Sequence, residues 1–234
     1  MSSFKTKART VELLGRKQIR DSVTALAELM KNSYDADASL LRVEFDTISE
    51  KQRVIIADNG IGMSQEDIET KWLVLGTNSK VRSKNNTSPD GRPLMGAKGI
   101  GRLASATLGR QMWMLSKTKD SQWNIVYIHW DLFGNPNLSI EDVNIPTRFG
   151  IPQTELVERL EDYFYEMINE QKINVMNCAW KKGEAYSDAA HKIISDLEAL
   201  SVDVKAVKNS YVVSIMEPLC ILIVFTITGI NISE

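Results

Sequence analysis

Residues 28–37 read ELMKNSYDAD and set Glu28, Asn32 and Asp35 at helical spacing. Glu28 and Asn32 are four apart, so they lie one turn apart on one helical face. An asparagine carbonyl is a hard oxygen ligand of the kind magnesium takes. A carboxylate one turn earlier can orient a water and accept its proton. Asp35 continues the same line. A solvated helix face gives the same spacing and accounts for Lys31 and Asp37. It accounts less well for Glu28, which sits between Ala27 and Leu29 in the most apolar turn.

Two further motifs carry chemistry. DNGIGM, residues 58–63, follows the apolar run RVIIA, so Asp58 stands where a buried strand ends. A carboxylate there can accept a hydrogen bond from an exocyclic amine. Gly60 and Gly62 leave room for a flat group near the backbone, and Met63 can pack on a ring. Asn-Gly is also the commonest turn pair, so taken alone these residues read first as a hairpin turn and a helix lead-in. GAKGIG, residues 96–101, precedes a short helical pattern. Gly96, Gly99 and Gly101 free backbone amides to point at a ligand, the helix N-terminus adds its dipole, and Lys98 adds a mobile positive charge. The chemistry is that of a phosphate cradle. The P-loop is excluded because no Ser or Thr follows a Gly-Lys pair, and no single crossover unit surrounds the glycines as a dinucleotide fingerprint requires. A flexible loop also tolerates such a cluster. Together the three motifs describe one site: adenine at Asp58, magnesium at Asn32, phosphates at residues 96–101.

The elements that must hold these residues are legible in part. Residues 16–36 read as a helix with an apolar stripe of Ile19, Val23, Leu26, Ala27 and Met30. Residues 40–46 alternate as a half-buried strand, with Leu41, Val43 and Phe45 on one side, and residues 53–57 form a second strand. Ser64 with Asp67 is a near match to a capping box and starts a helix running to about Leu75. Residues 76–101 hold five glycines and two prolines with few apolar anchors, the composition of a long functional loop. A short helix after Gly101 and strands near 110–117 and 121–130 follow. Residues 131–152 read as loop. Residues 154–170 form a helix with a stripe of Leu156, Leu160, Phe164 and Met167, and 185–200 another. Residues 203–208 and 211–217 look strand-like, and CILIVFTITGI, residues 220–230, suits a buried strand and is too short to span a bilayer as a helix. This order predicts an antiparallel or mixed sheet with helices on one side.

The chain has 234 residues, enough for one well-cored domain with a sizeable insertion. Apolar residues make up 43% and charged residues 25%, a soluble globular balance. Net charge is −2, yet residues 1–117 carry +6 and residues 118–234 carry −8. The positive half can face phosphate-bearing partners. Cys178 and Cys220 are too far apart in sequence for a metal cluster, and a reducing, cytoplasmic setting follows. The start, MSSFKTKART, has no apolar core of a signal peptide.

ELMKNSYDADA, ADNGIGM and MGAKGIGRLA, in that order and separation, resemble the three boxes of the GHKL superfamily, which includes gyrase B, the Hsp90 chaperones, MutL and sensor histidine kinases. The resemblance covers residues 16–117. It implies the Bergerat fold, an α/β sandwich with a mixed, mostly antiparallel sheet covered by helices on one face, and ATP lying under a lid loop. It implies roles: Glu28 as catalytic base, Asn32 as magnesium ligand, Asp58 as adenine-binding aspartate, and Gly60, Gly62 and Met63 lining the base pocket. Gly96, Lys98, Gly99 and Gly101 match the phosphate-binding end of the lid, with Asp35 in the nucleotide site. Sensor kinases usually carry an amide where Glu28 stands, so the resemblance favours ATP hydrolysis over phosphotransfer to a histidine. His129 and His191 read as structural or surface residues.

Two departures qualify the match. The hydrolysing branches carry a threonine, often after glycine, on a late strand near adenine. No clean Gly-Thr is present, and Thr226 and Thr228 are the candidates. Those branches also place a further domain after the ATP domain, which supplies a lysine or arginine to the γ-phosphate, and this chain has little room for one. The organisation expected is an ATP-binding core at 1–130, a mostly helical insertion or altered second half at 131–200, and C-terminal strands at 201–234 completing the domain. The function expected is magnesium-dependent ATP binding and slow or partner-dependent hydrolysis. That hydrolysis drives a lid or homodimer switch acting with DNA or a protein partner. The alternatives are a nucleotide-gated module with little turnover and, third, a protein kinase.

Overall fold

Strands β1 (Leu41–Asp46), β2 (Gln52–Asp58), β3 (Gln111–Ser116), β4 (Trp123–His129), β5 (Thr147–Ile151) and β6 (Ile221–Ile227) form one sheet in the order β1-β2-β6-β3-β4-β5. Every pairing is antiparallel. The computed structural model describes residues 5–15, 18–19, 21–46, 52–75, 87–95, 101–177, 188–199 and 221–227. The antiparallel, helix-covered sheet expected from the sequence is present. The strand patterns at 203–208 and 211–217, both cysteines and Thr228 lie outside the described residues.

The helices are α1 (Arg9–Leu14), α2 (Ser22–Asp35), α3 (Gln65–Asp67), α4 (Ser105–Leu108), α5 (Gln153–Asn177) and α6 (188–199). At β3 and β4 helices pack on both faces of the sheet. The cause is in the strand sequences. β3 and β4 are apolar on both alternations and buried at every position. Asp58, Ser116 and Asn124 share one cross-strand rung, and Ser33 of α2 bonds Asp58, so α2 covers that face. Trp113, of opposite parity to Ser116, stacks on Tyr127 at 4.2 Å and meets Phe164 of α5 at 4.0 Å between ring centroids. The predicted stripe of Leu156, Leu160, Phe164 and Met167 is the buried side of α5.

Two expectations are corrected. The helix predicted to begin at residue 16 begins at Ser22, because the Asp21 carboxylate caps it by accepting the Thr24 N–H at 2.7 Å. Its buried side is Ala25, Leu29 and Ser33. Val23 is 76% exposed and Met30 is also exposed, so the predicted stripe largely faces outward. The helix carries two rows of small and apolar residues, and the row that includes Ser33 wins because that hydroxyl meets a buried carboxylate. The segment 131–152, read as loop, contains 3₁₀ turns at Trp130–Gly134 and Ile140–Asp142 and then β5. Prolines at 146 and 152 hid a short edge strand, where proline is tolerated.

The capping box at Ser64 and Asp67 is formed from both sides. The helix it starts widens at once into a π-turn over Ile68–Trp72, where Leu73 N–H donates to Ile68 O at 2.8 Å. On the α5 side, α6 is fastened by charge. Arg110 donates from Nε to Asp131 Oδ2 at 2.6 Å and places Nη1 2.8 Å from Asp196 of α6. His129 is buried beside this cluster, with Nε2 3.5 Å from Asp196 Oδ2, and His191 is exposed. Among the described residues no helix is long and apolar enough to cross a membrane.

Candidate functional site

The end of β2 and the C-terminal half of α2 make the centre of the site. Asp58 is 3% exposed. Its Oδ2 accepts from the Ser33 hydroxyl at 2.7 Å and its Oδ1 from the Gly60 N–H at 2.9 Å. Burial pushes its carboxyl above the ordinary value, and the Ser33 and Gly60 bonds hold it back in part. A carboxylate is thereby fixed in orientation and kept poorly solvated, a good acceptor for an amine arriving from outside.

The DNGIGM segment is a folded loop that knits β2 to the end of α2. Asn59 Oδ1 accepts from the Ser39 and Leu40 N–H groups at 2.9 and 2.8 Å, and Ile61 N–H donates to Ala36 O at 2.8 Å. A Cβ on Gly60 would stand 2.6 Å from Ala36 O, so glycine there is demanded by close packing on α2. Gly62 has φ +65°, a left-handed turn that favours glycine. Met63 ends the loop, packed against the core.

Glu28 and Asn32 lie on the neighbouring face of α2. A Cβ built on Gly101 would be 3.4 and 3.5 Å from the Asn32 amide nitrogen and oxygen, and 3.6 Å from Glu28 Oε2. The first and third motifs therefore meet, with the backbone of Gly101 close against both side chains. Lys31 Nζ donates to the other Glu28 oxygen, Oε1, at 2.7 Å. Since Asn32 turns to Gly101 and the next residue, Ser33, turns to Asp58, consecutive α2 residues link the two halves of the site.

Asp35 is buried, and its Oδ1 accepts the Met95 N–H at 2.8 Å. It touches the chain that leads into the third motif. Residues 87–95 are not the unanchored stretch that their composition predicted. Ser88-Pro89-Asp90-Gly91 closes a turn with Gly91 N–H on Ser88 O at 3.0 Å, and Gly91 has φ +84°. Asp37 accepts from the Ser88 hydroxyl and from the Asp90 N–H at 3.1 Å, while Arg92 donates to Ala38 O at 2.8 Å and lies over the Tyr34 ring at 5.5 Å. Gly96, Lys98 and Gly99 lie outside the described residues.

Thr226 is not brought to Asp58. In β6 it pairs with Arg53 and Gln111, whereas Ile221 pairs with Asp58 and Ser116. The two rungs are five residue steps apart, about 16 Å along the sheet. The polar groups in the Asp58 rung are instead Ser116 and Asn124, which, with Ser33, were not singled out from the sequence. The signal for the two strand residues was a polar residue in an otherwise apolar run, MWMLS and WNIVYI.

The Gly101 backbone pressed on an Asn–Glu pair, beside a buried oriented carboxylate, fits a nucleotide with a hard cation. Asn32 supplies a neutral oxygen and Glu28 an acid, with no soft ligand between them. Comparison with known families agrees. Residues 20–148, more than half of the chain, match the model described as Histidine kinase-, DNA gyrase B-, and HSP90-like ATPase. HgiDII of Herpetosiphon aurantiacus, which carries the name of a type II restriction enzyme, is 43% identical over 77 residues, 33% of this chain and 12% of that protein. The chaperone protein HtpG of Oceanobacillus iheyensis is 20% identical over 196 residues, 65% and 31% of the two chains. The DNA mismatch repair protein MutL of Ehrlichia chaffeensis is 28% identical over 137 residues, 54% and 18%. The chain spans less than a third of each relative's length. Motif order, sheet topology and the family match lead to one statement: the chain belongs to the histidine kinase-, DNA gyrase B- and HSP90-like ATPases, the GHKL superfamily.

Proposed function

We propose that this chain binds ATP with magnesium at the end of α2 and β2, and hydrolyses it with Glu28 as general base. The observation that carries the reading is the convergence of Glu28 and Asn32 on Gly101, where a Cβ would stand 3.4–3.6 Å from both side chains, beside the buried Asp58. In this reading Asp58 accepts the adenine amine, and Gly60, Gly62 and Met63 form the base pocket. Asn32 holds the cation, which when bound offsets phosphate charge. Gly101, with Gly96, Lys98 and Gly99, cradles the phosphates. Glu28 orients a water and accepts its proton, a contribution of roughly 10²–10⁴-fold. Asp35 acts from behind, through the Met95 N–H.

The test compares two substitutions on one helical face. E28Q keeps shape and removes the base, so ATP binding persists while phosphate release collapses. N32A weakens magnesium-dependent binding itself. Equal phosphate release from wild type and E28Q would sink the hydrolytic assignment. The second reading, a nucleotide-gated module with little turnover, draws on one observation: Lys31 engages Oε1 of Glu28, leaving a single oxygen to address a water. In that case K31A raises turnover.

The switch is proposed to act with DNA or a protein partner, as a homodimer in its ATP state. Two of the relatives named above are a restriction enzyme and a DNA mismatch repair protein by name, and the third is a chaperone. Sedimentation with and without a non-hydrolysable ATP analogue, with duplex DNA added, tests both parts. An unchanged monomer that ignores DNA in every condition would remove them.

A further inference from the structure

We infer that Ser116 and Asn124 are positioning residues for the base pocket: two side chains from the sheet that hold the backbone of Met63 in place relative to Asp58. The inference rests on the ATP reading above and assigns to that site two residues outside its three motifs.

The register supplies the first argument. Asp58 of β2, Ile221 of β6, Ser116 of β3 and Asn124 of β4 form one continuous rung. Ser116 is 0% exposed and Asn124 is 2% exposed. Each is a buried polar residue in a strand whose middle is built from core side chains, and such groups are expensive to bury unless they make hydrogen bonds.

Their partners supply the second argument. Ser116 Oγ accepts the Met63 N–H at 2.9 Å. Asn124 Nδ2 donates to Met63 O at 3.2 Å. Both backbone groups of one loop residue are thus taken by the sheet. Asn124 Oδ1 also accepts the Gly150 N–H at 3.3 Å, where Gly150 has φ +69° and the β4–β5 register shifts between Trp123 and Ile125. The asparagine is therefore held from its far side, and it cannot swing without breaking an edge-strand contact.

The consequence is geometric. Asp58 and Met63 bracket the loop 58–63, and both are pinned to the same rung. The Asn59 and Ile61 bonds tie the middle of the loop to the end of α2 and the segment after it, and Ser116 and Asn124 supply the fastening at its Met63 end. Loosening Met63 changes the spacing between the wall of the pocket and the carboxylate that faces the amine. Glu28 and Asn32 are on α2, away from this rung, so the phosphate end keeps its geometry.

The experiment uses the full chain. Calorimetric titration with MgATP is expected to give an affinity about tenfold weaker for S116A, which leaves the Met63 N–H without its buried acceptor. S116T, which keeps the oxygen, restores it. Turnover at saturating ATP stays at the wild-type level, so the effect appears in KM and not in kcat. In the wild type, the Met63 amide exchanges with solvent as slowly as the ladder amides of β3. S116A binding ATP like the wild type, or losing saturated turnover in step with affinity, would overturn the inference. If S116A does not fold, the wild-type exchange rate decides: a rapidly exchanging Met63 amide removes the positioning role. Failure of the wild type to bind ATP is a separate result, and it strikes the proposed function itself.

Discussion

Asp58 sets the pH behaviour of the site. Its folded carboxyl holds the proton to higher pH than the same group in the unfolded chain, because burial disfavours the charge. Ionisation therefore works against folding. Its cost sets in as pH rises above the ordinary value of 3.8 and is complete above the raised folded value. Ligand binding runs the other way, since the carboxylate acceptor exists only above that raised value. ATP affinity is expected to fall on acidification with a midpoint above 3.8. D58A should bind about 1–3 kcal/mol more weakly at neutral pH and lose that pH step. Calorimetry across pH checks both. Gly60 gives a second prediction at this scale. G60A drives a methyl to 2.6 Å from Ala36 O, so it should destabilise the fold by about 1–3 kcal/mol in a denaturant titration.

Two fastenings between elements can be broken separately. The first ties residues 87–95 to the end of α2 through Asp37, which has φ 59° and accepts from Ser88 and Asp90. D37G keeps that backbone conformation and deletes the carboxylate. It should speed amide exchange at Asp90 and Met95 while leaving the β3 and β4 amides slow. Equal exchange in the two proteins would show that the turn holds itself. The second fastening is Arg110 between Asp131 and Asp196, all three partly buried. R110A leaves two carboxylates without their guanidinium. The expected loss is about 1–3 kcal/mol, between an exposed pair and a buried one. Thermal unfolding would read it, and the R110A loss should shrink in a D131N/D196N background.

At the scale of the whole molecule, the last described strand sits in the middle of the sheet. β6 lies between β2 and β3 and is antiparallel to both. Without it the two hairpins share no ladder. A chain ending at residue 220 should therefore lose cooperative unfolding altogether, rather than show a modest drop in melting temperature. Retention of a sharp transition in that shortened chain would mean that β2 and β3 can pair directly. The same arrangement couples Asp58 to Ser116 through Ile221, so the end of the chain contributes to the frame of the candidate site.

What could be read without a fold was local. The strand at 40–46, the capping box at Ser64 and the stripe of α5 each depend on neighbours in sequence, and each element appears where its pattern placed it, although Phe45 faces outward rather than into the core. That Glu28 and Asn32 share a face follows from helical spacing alone, whereas their meeting with Gly101 is a matter of packing. Long-range choices were different. Which row of α2 is buried depended on a carboxylate 25 residues away finding the Ser33 hydroxyl. The resemblance offered Thr226 as a candidate for a late-strand threonine near adenine, yet strand register puts Ile221 beside Asp58. Ser116 and Asn124 gave only a faint signal, because a polar residue in a strand shows its purpose only when its partner is known. Local pattern measures which residues can share a face. Register and packing decide which faces meet, because a one-residue change in pairing redirects every side chain along the strand.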